Sequence, residues 1–192
     1  MRRRVDPRPL RRRQLPELSQ NLRHRPRASR RVRPGCRQAT LLALKFTATL
    51  TAAIFAGAAL YINLVEHPAR MRLDTRAAAM EWAPAYARAT WMQAPLAVVC
   101  FLAGVGAWWS GGGVGWAVAA LLIGAVVPVT FLIIMPTNQL LLAPDRDLAS
   151  TETRGLLERW ARLHAVRTVL SLAATVLYGA LAVGSCEALP VV

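Results

Sequence analysis

Four runs poor in charge, at about residues 46–65, 92–109, 114–135 and 163–184, govern what this chain of 192 residues can become. An α-helix rises about 1.5 Å per residue, so about 20 apolar residues cross the roughly 30 Å hydrocarbon core of a bilayer. Phe46 to Val65 holds one strongly polar residue, Asn63. Met92 to Trp109 opens near Pro95, which the first turn of a helix tolerates. Val114 to Met135 contains Pro128, which predicts a kink whose freed carbonyl needs a local partner. Trp91 at one end of the second run and Trp108-Trp109 at the other suit the aromatic belts of a membrane. So many apolar runs in so short a chain do not fit a soluble core, and they predict an all-α, four-transmembrane-helix bundle.

Charge divides the chain differently. The net charge is +14, yet residues 1–37 hold fourteen of the 24 basic residues against Asp6 and Glu17, which leaves the body nearly neutral. Prolines 7, 9, 16, 26 and 34 interrupt these arginines, and few large apolar groups accompany them, so residues 1–38 are expected to be a disordered basic arm. Residues 39–186 form the membrane domain and 187–192 a short tail. Nucleic acid is not an expected partner, because no aromatic residue is interleaved for stacking and no folded nucleic-acid module follows. Attraction to anionic headgroups suits the arm better, and a start site placed too far upstream is the remaining reading. Cys36, Cys100 and Cys186 lie too far apart to suggest a disulfide framework or a metal-ligand spacing.

Between the runs, Glu66 to Arg88 reads as a polar connection along the interface, with helical character from Asp74 to Tyr86 broken by Pro84. Ser110 to Gly113 is a short turn that makes its flanking helices antiparallel neighbours. The Gly111 to Gly115 cluster lacks the preceding strand and the Lys-Ser/Thr of a phosphate loop. Pro136-Thr137-Asn138 is expected to end the third helix. Ser150 to Thr153 offers a weak capping box for a helix that continues through Trp160 and His164 to about Gly184. Four spans put both termini on one side, and the positive-inside rule makes that side the cytoplasm of a multi-pass cell-membrane protein.

Within the last helix, Trp160, His164 and Arg167 stand at i, i+4 and i+7, with Ser171 one turn further on. An aromatic, an imidazole and a guanidinium then share a stripe that enters the membrane, where polar groups are costly. Other unusual polar residues fall at the same side of the bundle: Tyr61, Asn63, Glu66, His67, Arg88, Trp91, Gln93, Thr137 and Asn138. Such clustering suits a small-molecule site between helices. Plainer accounts exist for each. Arg167 could snorkel or pair with Glu66, and His164 could be a satisfied hydrogen-bond partner. Thr137 and Asn138 could cap a helix, and Trp91 and Trp160 could anchor at the interface. His67, His164 and Glu66 lack the spacing of a metal motif, so no metal is assigned.

Phe55 to Arg70 (FAGAALYINLVEHPAR), Trp91-Met-Gln-Ala-Pro95, Met135-Pro-Thr-Asn138 and Trp160-Ala-Arg-Leu-His-Ala-Val-Arg167 together resemble the anthrone oxygenase-like family of small integral membrane proteins. The likeness covers about residues 40–184 and leaves out the arm. It implies a four-helix membrane fold. It also implies, as for characterised fungal members, oxidation of an anthrone to an anthraquinone by molecular oxygen, with no flavin, haem or other cofactor. Such chemistry needs a base, an oxyanion holder and exclusion of water. On this reading His164 is the base, and Arg167 with Asn138 stabilises the oxyanion. Tyr61, Trp91 and Trp160 flank an aromatic substrate, with Asn63, Glu66 and His67 beside it. The expected partners are the lipid bilayer, a hydrophobic small molecule and, through the small-residue surfaces at Gly104 to Gly106 and Gly111 to Gly115, a homo-oligomer. The rival is a non-catalytic accessory subunit or carrier whose polar residues only tie helix ends together. An enzyme should gather His164, Arg167, Asn138 and Glu66 around one enclosed cavity, and the rival should pair them directly.

Overall fold

A computed structural model describes residues 34–187, and from Arg37 onward the described residues form one compact unit. The disordered arm expected over residues 1–38 lies outside the described residues up to residue 33, as does the tail from residue 188. Four helices are long and apolar enough to cross a membrane: α1, Gly35–Arg70; α2, Thr75–Gly112; α3, Val114–Leu141; and α4, Thr151–Gly184. Among the described residues there is no strand. The protein is an all-α, multi-pass membrane bundle.

The helices outrun their apolar stretches. Instead of a connection from Glu66 to Arg88, only residues 71–74 separate α1 from α2. Asp74 caps α2, its Oδ1 accepting from the Ala77 N–H at 3.0 Å, and the helix then passes through Pro84 and Pro95 without ending. Proline removes one backbone hydrogen bond, but Ala78, Ala79 and Trp82 are buried against Leu156, Leu157 and Trp160 of α4, and this packing holds the segment upright. The polar residues there satisfy one another. Arg70 is buried in a double ion pair with Glu66 and Glu81, and Arg154 of α4 donates to the carbonyls of Met71 and, at 3.0 Å, Leu73.

Nor does Pro136 end α3, which runs on to Leu141. Two proline positions explain the local geometry. Ile62–Glu66 and Val129–Ile134 are wound as π-helix, with the His67 N–H bonding the Ile62 carbonyl and the Met135 N–H bonding the Thr130 carbonyl. Pro68 and Pro136 follow immediately. A widened turn carries the carbonyl that a proline ring would strike out of its way. Pro128 coincides with a further irregularity, since regular helix stops at Gly124 and resumes over Val126–Pro128.

The turn between α2 and α3 is made by Gly111 and Gly113, whose φ angles of 98° and 95° are left-handed values that other residues rarely adopt. Ser150 caps α4: its Oγ accepts from the Thr153 N–H at 3.2 Å, and the buried Thr153 hydroxyl donates to the Asp147 carbonyl at 2.8 Å. Two clusters fill the bundle. One, around Phe55, Cys100, Trp116 and Tyr178, is rich in alanine. The other, around Trp82, Ile134, Leu157 and Trp160, is rich in rings.

Candidate functional site

Asn63 projects from the widened turn of α1 toward α4 and fixes a hydrogen on one ring nitrogen of His164. Its amide Nδ2 donates to the Ala161 carbonyl at 3.1 Å, and a backbone carbonyl can only accept. The other end of the amide is therefore oxygen. That Oδ1 accepts from the Thr168 hydroxyl at 2.7 Å and lies 2.7 Å from His164 Nδ1, so Nδ1 must carry the hydrogen. In the neutral ring the lone pair then sits on Nε2. The His164 side chain is buried, and its ring stacks on Trp160 with centroids 4.9 Å apart.

One turn on, the Arg167 Nη2 donates to Gln93 Oε1 at 2.7 Å, and its guanidinium carbon lies 5.5 Å from the Phe55 ring. A guanidinium only donates, so Gln93 must present its oxygen to Arg167 and turn its Nε2 elsewhere. Among the described residues Arg167 has no carboxylate partner, because Glu66 is taken by Arg70. The plainer account in which Arg167 pairs with Glu66 therefore does not hold among the described residues.

Donors are left over around this point. Arg167 Nε, Gln93 Nε2, Trp82 Nε1 and Trp160 Nε1 are all buried without a partner among the described residues, and all four residues line one small cavity together with His164 and Glu66. Its volume is about 20 Å³, room for roughly one water molecule. Beside it lies a second cavity of about 220 Å³, walled mainly by Phe55, Ala94, Ala97, Val126, Phe131 and Met135. Tyr86, Thr90, Gln93 and Arg167 line both. A polar cell thus adjoins an apolar chamber, with a guanidinium at the boundary. The contrast in volume decides what each can take: the cell admits a water or a diatomic molecule, and only the chamber admits a ring system.

The expected residues divide accordingly. His164, Arg167, Glu66 and Trp160 share the polar cell, and Asn63 braces His164 from behind. Asn138 does not join them. It is fully buried, neither polar side-chain atom has a partner among the described residues, and the side chain hydrogen-bonded to Arg167 is Gln93. His67 packs on Trp160 with ring centroids 5.6 Å apart, and its Nδ1 is 3.5 Å from the Arg70 guanidinium. Trp91 is 84% exposed and Tyr61 54% exposed, so both face outward. The cause is helical phase: Gln93 and Ile62 point inward, and residues two and one positions away are turned about 200° and 100° from them. Among the described residues no group of three or more His, Cys, Asp or Glu is placed to hold a metal.

Trp82, Tyr86, Thr90 and Gln93 escaped notice as a set, although their spacing of 4, 4 and 3 marks one helical stripe. The signal was Gln93, a lone amide in the second apolar run.

The comparisons with known proteins converge on this region. A family model described as anthrone oxygenase matches residues 82–177, which spans the Trp82 to Gln93 stripe, the third helix and the Trp160 to Arg167 segment. Anthrone oxygenase tpcL of Aspergillus fumigatus is 31% identical over 149 residues, covering 72% of this chain and 92% of that protein. No solved structure matches the chain. With four membrane-length helices and these matches, the chain belongs to the anthrone oxygenase family.

Proposed function

We propose that this protein oxidises an anthrone-like aromatic compound with molecular oxygen, inside the bilayer and without a resident cofactor. The observation that carries the reading is Arg167: a guanidinium on a membrane-spanning helix with no carboxylate partner among the described residues, set where a donor-lined cell meets an apolar chamber. A cation there is costly unless something supplies negative charge. An enolate does so, and only when the reaction needs it.

The chemistry balances without a reductant. A ring CH₂ and one O₂ become a carbonyl and one water: two hydrogens leave the carbon, one oxygen atom stays and the other departs as water. With the ring system in the chamber and His164 in the cell, His164 Nε2 takes the first proton through one water held in the cell, and Arg167 with the Gln93 amide, which line both cavities, holds the enolate oxygen at their boundary. The electron-rich anion then passes an electron to O₂, and the two radicals combine at the carbon. The peroxide anion takes the proton back from the His164 cation, His164 then accepts the second hydrogen of that carbon as a proton while the O–O bond breaks, and the departing hydroxide takes this proton too, giving the quinone, water and neutral His164. Trp82, Trp160 and the apolar chamber keep bulk water from quenching the anion.

If the basic arm stays in the cytoplasm, as its charge favours, the His164 end of the bundle lies toward the opposite face. The test is purified protein in detergent or nanodiscs, given an anthrone under oxygen and followed by quinone absorbance. One O₂ consumed per quinone without free peroxide, and a primary isotope effect when the CH₂ is deuterated, are expected. Quinone formation no faster than in protein-free buffer would overturn the reading.

A further inference from the structure

The chamber has a thin wall. Val98 of α2 and Val127 of α3 line it from inside, yet they are 53% and 44% exposed on the outer surface of the bundle. On that outer side the same two residues, with Ala97, line a groove of about 550 Å³ between α2 and α3 whose walls are wholly apolar. Groove and chamber are therefore separated by about one layer of side chains. Both valines fall midway along their apolar runs, at the depth of the hydrocarbon core. Nothing that reaches this groove arrives from water.

The backbone is irregular at the same place. Regular helix in α3 stops at Gly124, and a Cβ on Gly124 would meet the Phe101 ring at 2.9 Å, so the ring of α2 lies directly on the α3 backbone. Pro128, one residue past Val127, gives up a backbone hydrogen bond that would otherwise hold this turn to the next. A second outer groove, beside Trp91, is lined from α2 alone and offers no pair of helices to part.

We infer that the seam between Val98 and Val127 is a lateral doorway, through which an uncharged, planar, fused-ring aromatic dissolved in the bilayer enters the chamber, with Phe101 as its movable edge. The inference rests on the chamber being the substrate site of the proposed oxygenase. Neutral form and flatness follow from the route: a charged molecule would not partition to this depth, and a narrow seam between helices admits a plate more readily than a ball.

The experiment uses the full chain in nanodiscs with the lipid-facing Trp91, Trp108 and Trp109 replaced by Phe, so that quenching reports Trp82 and Trp160 above the constant contribution of Trp116, which is buried in the alanine-rich cluster. Anthraquinone is mixed in by stopped flow, and an anthrone turnover assay is run on the same variants. With Leu102→Phe and Ala125→Phe together, which narrow the outer groove from both helices without lining the chamber, on- and off-rates should fall by about tenfold while Kd stays nearly constant, the mark of a narrowed passage rather than a lost contact. Phe101→Ala should speed both rates, and Ala87→Phe, in the other groove, should change neither. Unaltered rates in the double variant, or slowing by Ala87→Phe, overturn the doorway and leave the oxygenase intact. No saturable quenching in the unblocked protein overturns chamber and doorway together. Doorway kinetics without quinone formation leave the doorway standing and overturn the oxygenase.

Discussion

The two ends of this bundle solve the packing problem in opposite ways. Toward Trp116 and Tyr178, the helices close on alanine and cysteine: Ala48, Ala52, Cys100, Ala103 and Ala119 are buried, and the Cys100 thiol reaches the Ala48 carbonyl at 3.3 Å. Small side chains let backbones meet, which is how helices associate where lipid is as apolar as protein. Toward Trp82 and Trp160 the helices meet through rings instead. Most of the buried polar atoms without a partner among the described residues lie at that end, on Trp82, Gln93, Asn138, Trp160 and Arg167. A fold that can seal one end so closely has no packing reason to leave the other end unsatisfied. The difference supports the proposed reading, in which the ring-lined end trades stability for the binding of a substrate.

The sharpest way to break this contrast is His164→Ala. If that end serves chemistry, kcat/KM for an anthrone should fall by about 10²–10⁴ while thermal unfolding hardly moves. A variant that loses its fold and activity together would make His164 a structural residue. Arg167→Gln should cost about 10²–10³ in kcat, with Arg167→Lys recovering part of it, since an ammonium restores charge but not the guanidinium's contact with Gln93. Isothermal unfolding in denaturant should show the Gln variant no less stable than its parent, because an unpaired buried cation has been removed.

At the opposite end the signs reverse. Gly104→Ala would set a Cβ 1.9 Å from the Tyr178 hydroxyl and 3.0 Å from Ala120, and should cost about 1–3 kcal/mol of stability, with kcat unchanged in the folded fraction. Tyr178→Phe in the same chain should restore most of that loss, as a double-mutant unfolding cycle would reveal. The smallest effect is Ser150→Ala, which removes the α4 cap and should lower stability by about 1 kcal/mol.

How much of this was legible before the fold was known depends on the physics of each feature. Bilayer thickness fixes helix length, so the four apolar runs announced four crossings. The extension of α2 back to Thr75 and of α3 on to Leu141 was hidden, because it depends on pairings distant in sequence, such as Arg154 with the Met71 and Leu73 carbonyls. In the site, Trp160, His164 and Arg167 were readable from helical spacing within one segment. Their partners were not: choosing Gln93 over Trp91 requires the phase of α2, and a helix with lipid on one side and protein on the other is apolar on both. Asn138 illustrates the same limit, being at the expected end of the bundle but away from the cell that His164 lines.

The Asn63 amide has one more consequence for how protons can travel. Whether His164 is neutral or cationic, its Nδ1 hydrogen is held by an oxygen that has no proton of its own to hand on, and among the described residues that oxygen is met besides only by a hydroxyl donor, its own amide being fixed to a backbone carbonyl. The far side of the imidazole is a dead end. A proton captured at Nε2 cannot leak through α1 to the membrane surface, so it must go back into the cell where it was taken, and under the proposed chemistry the acceptor there is the departing oxygen. The base would then be reset by the reaction itself, turnover after turnover, with no wire to bulk water.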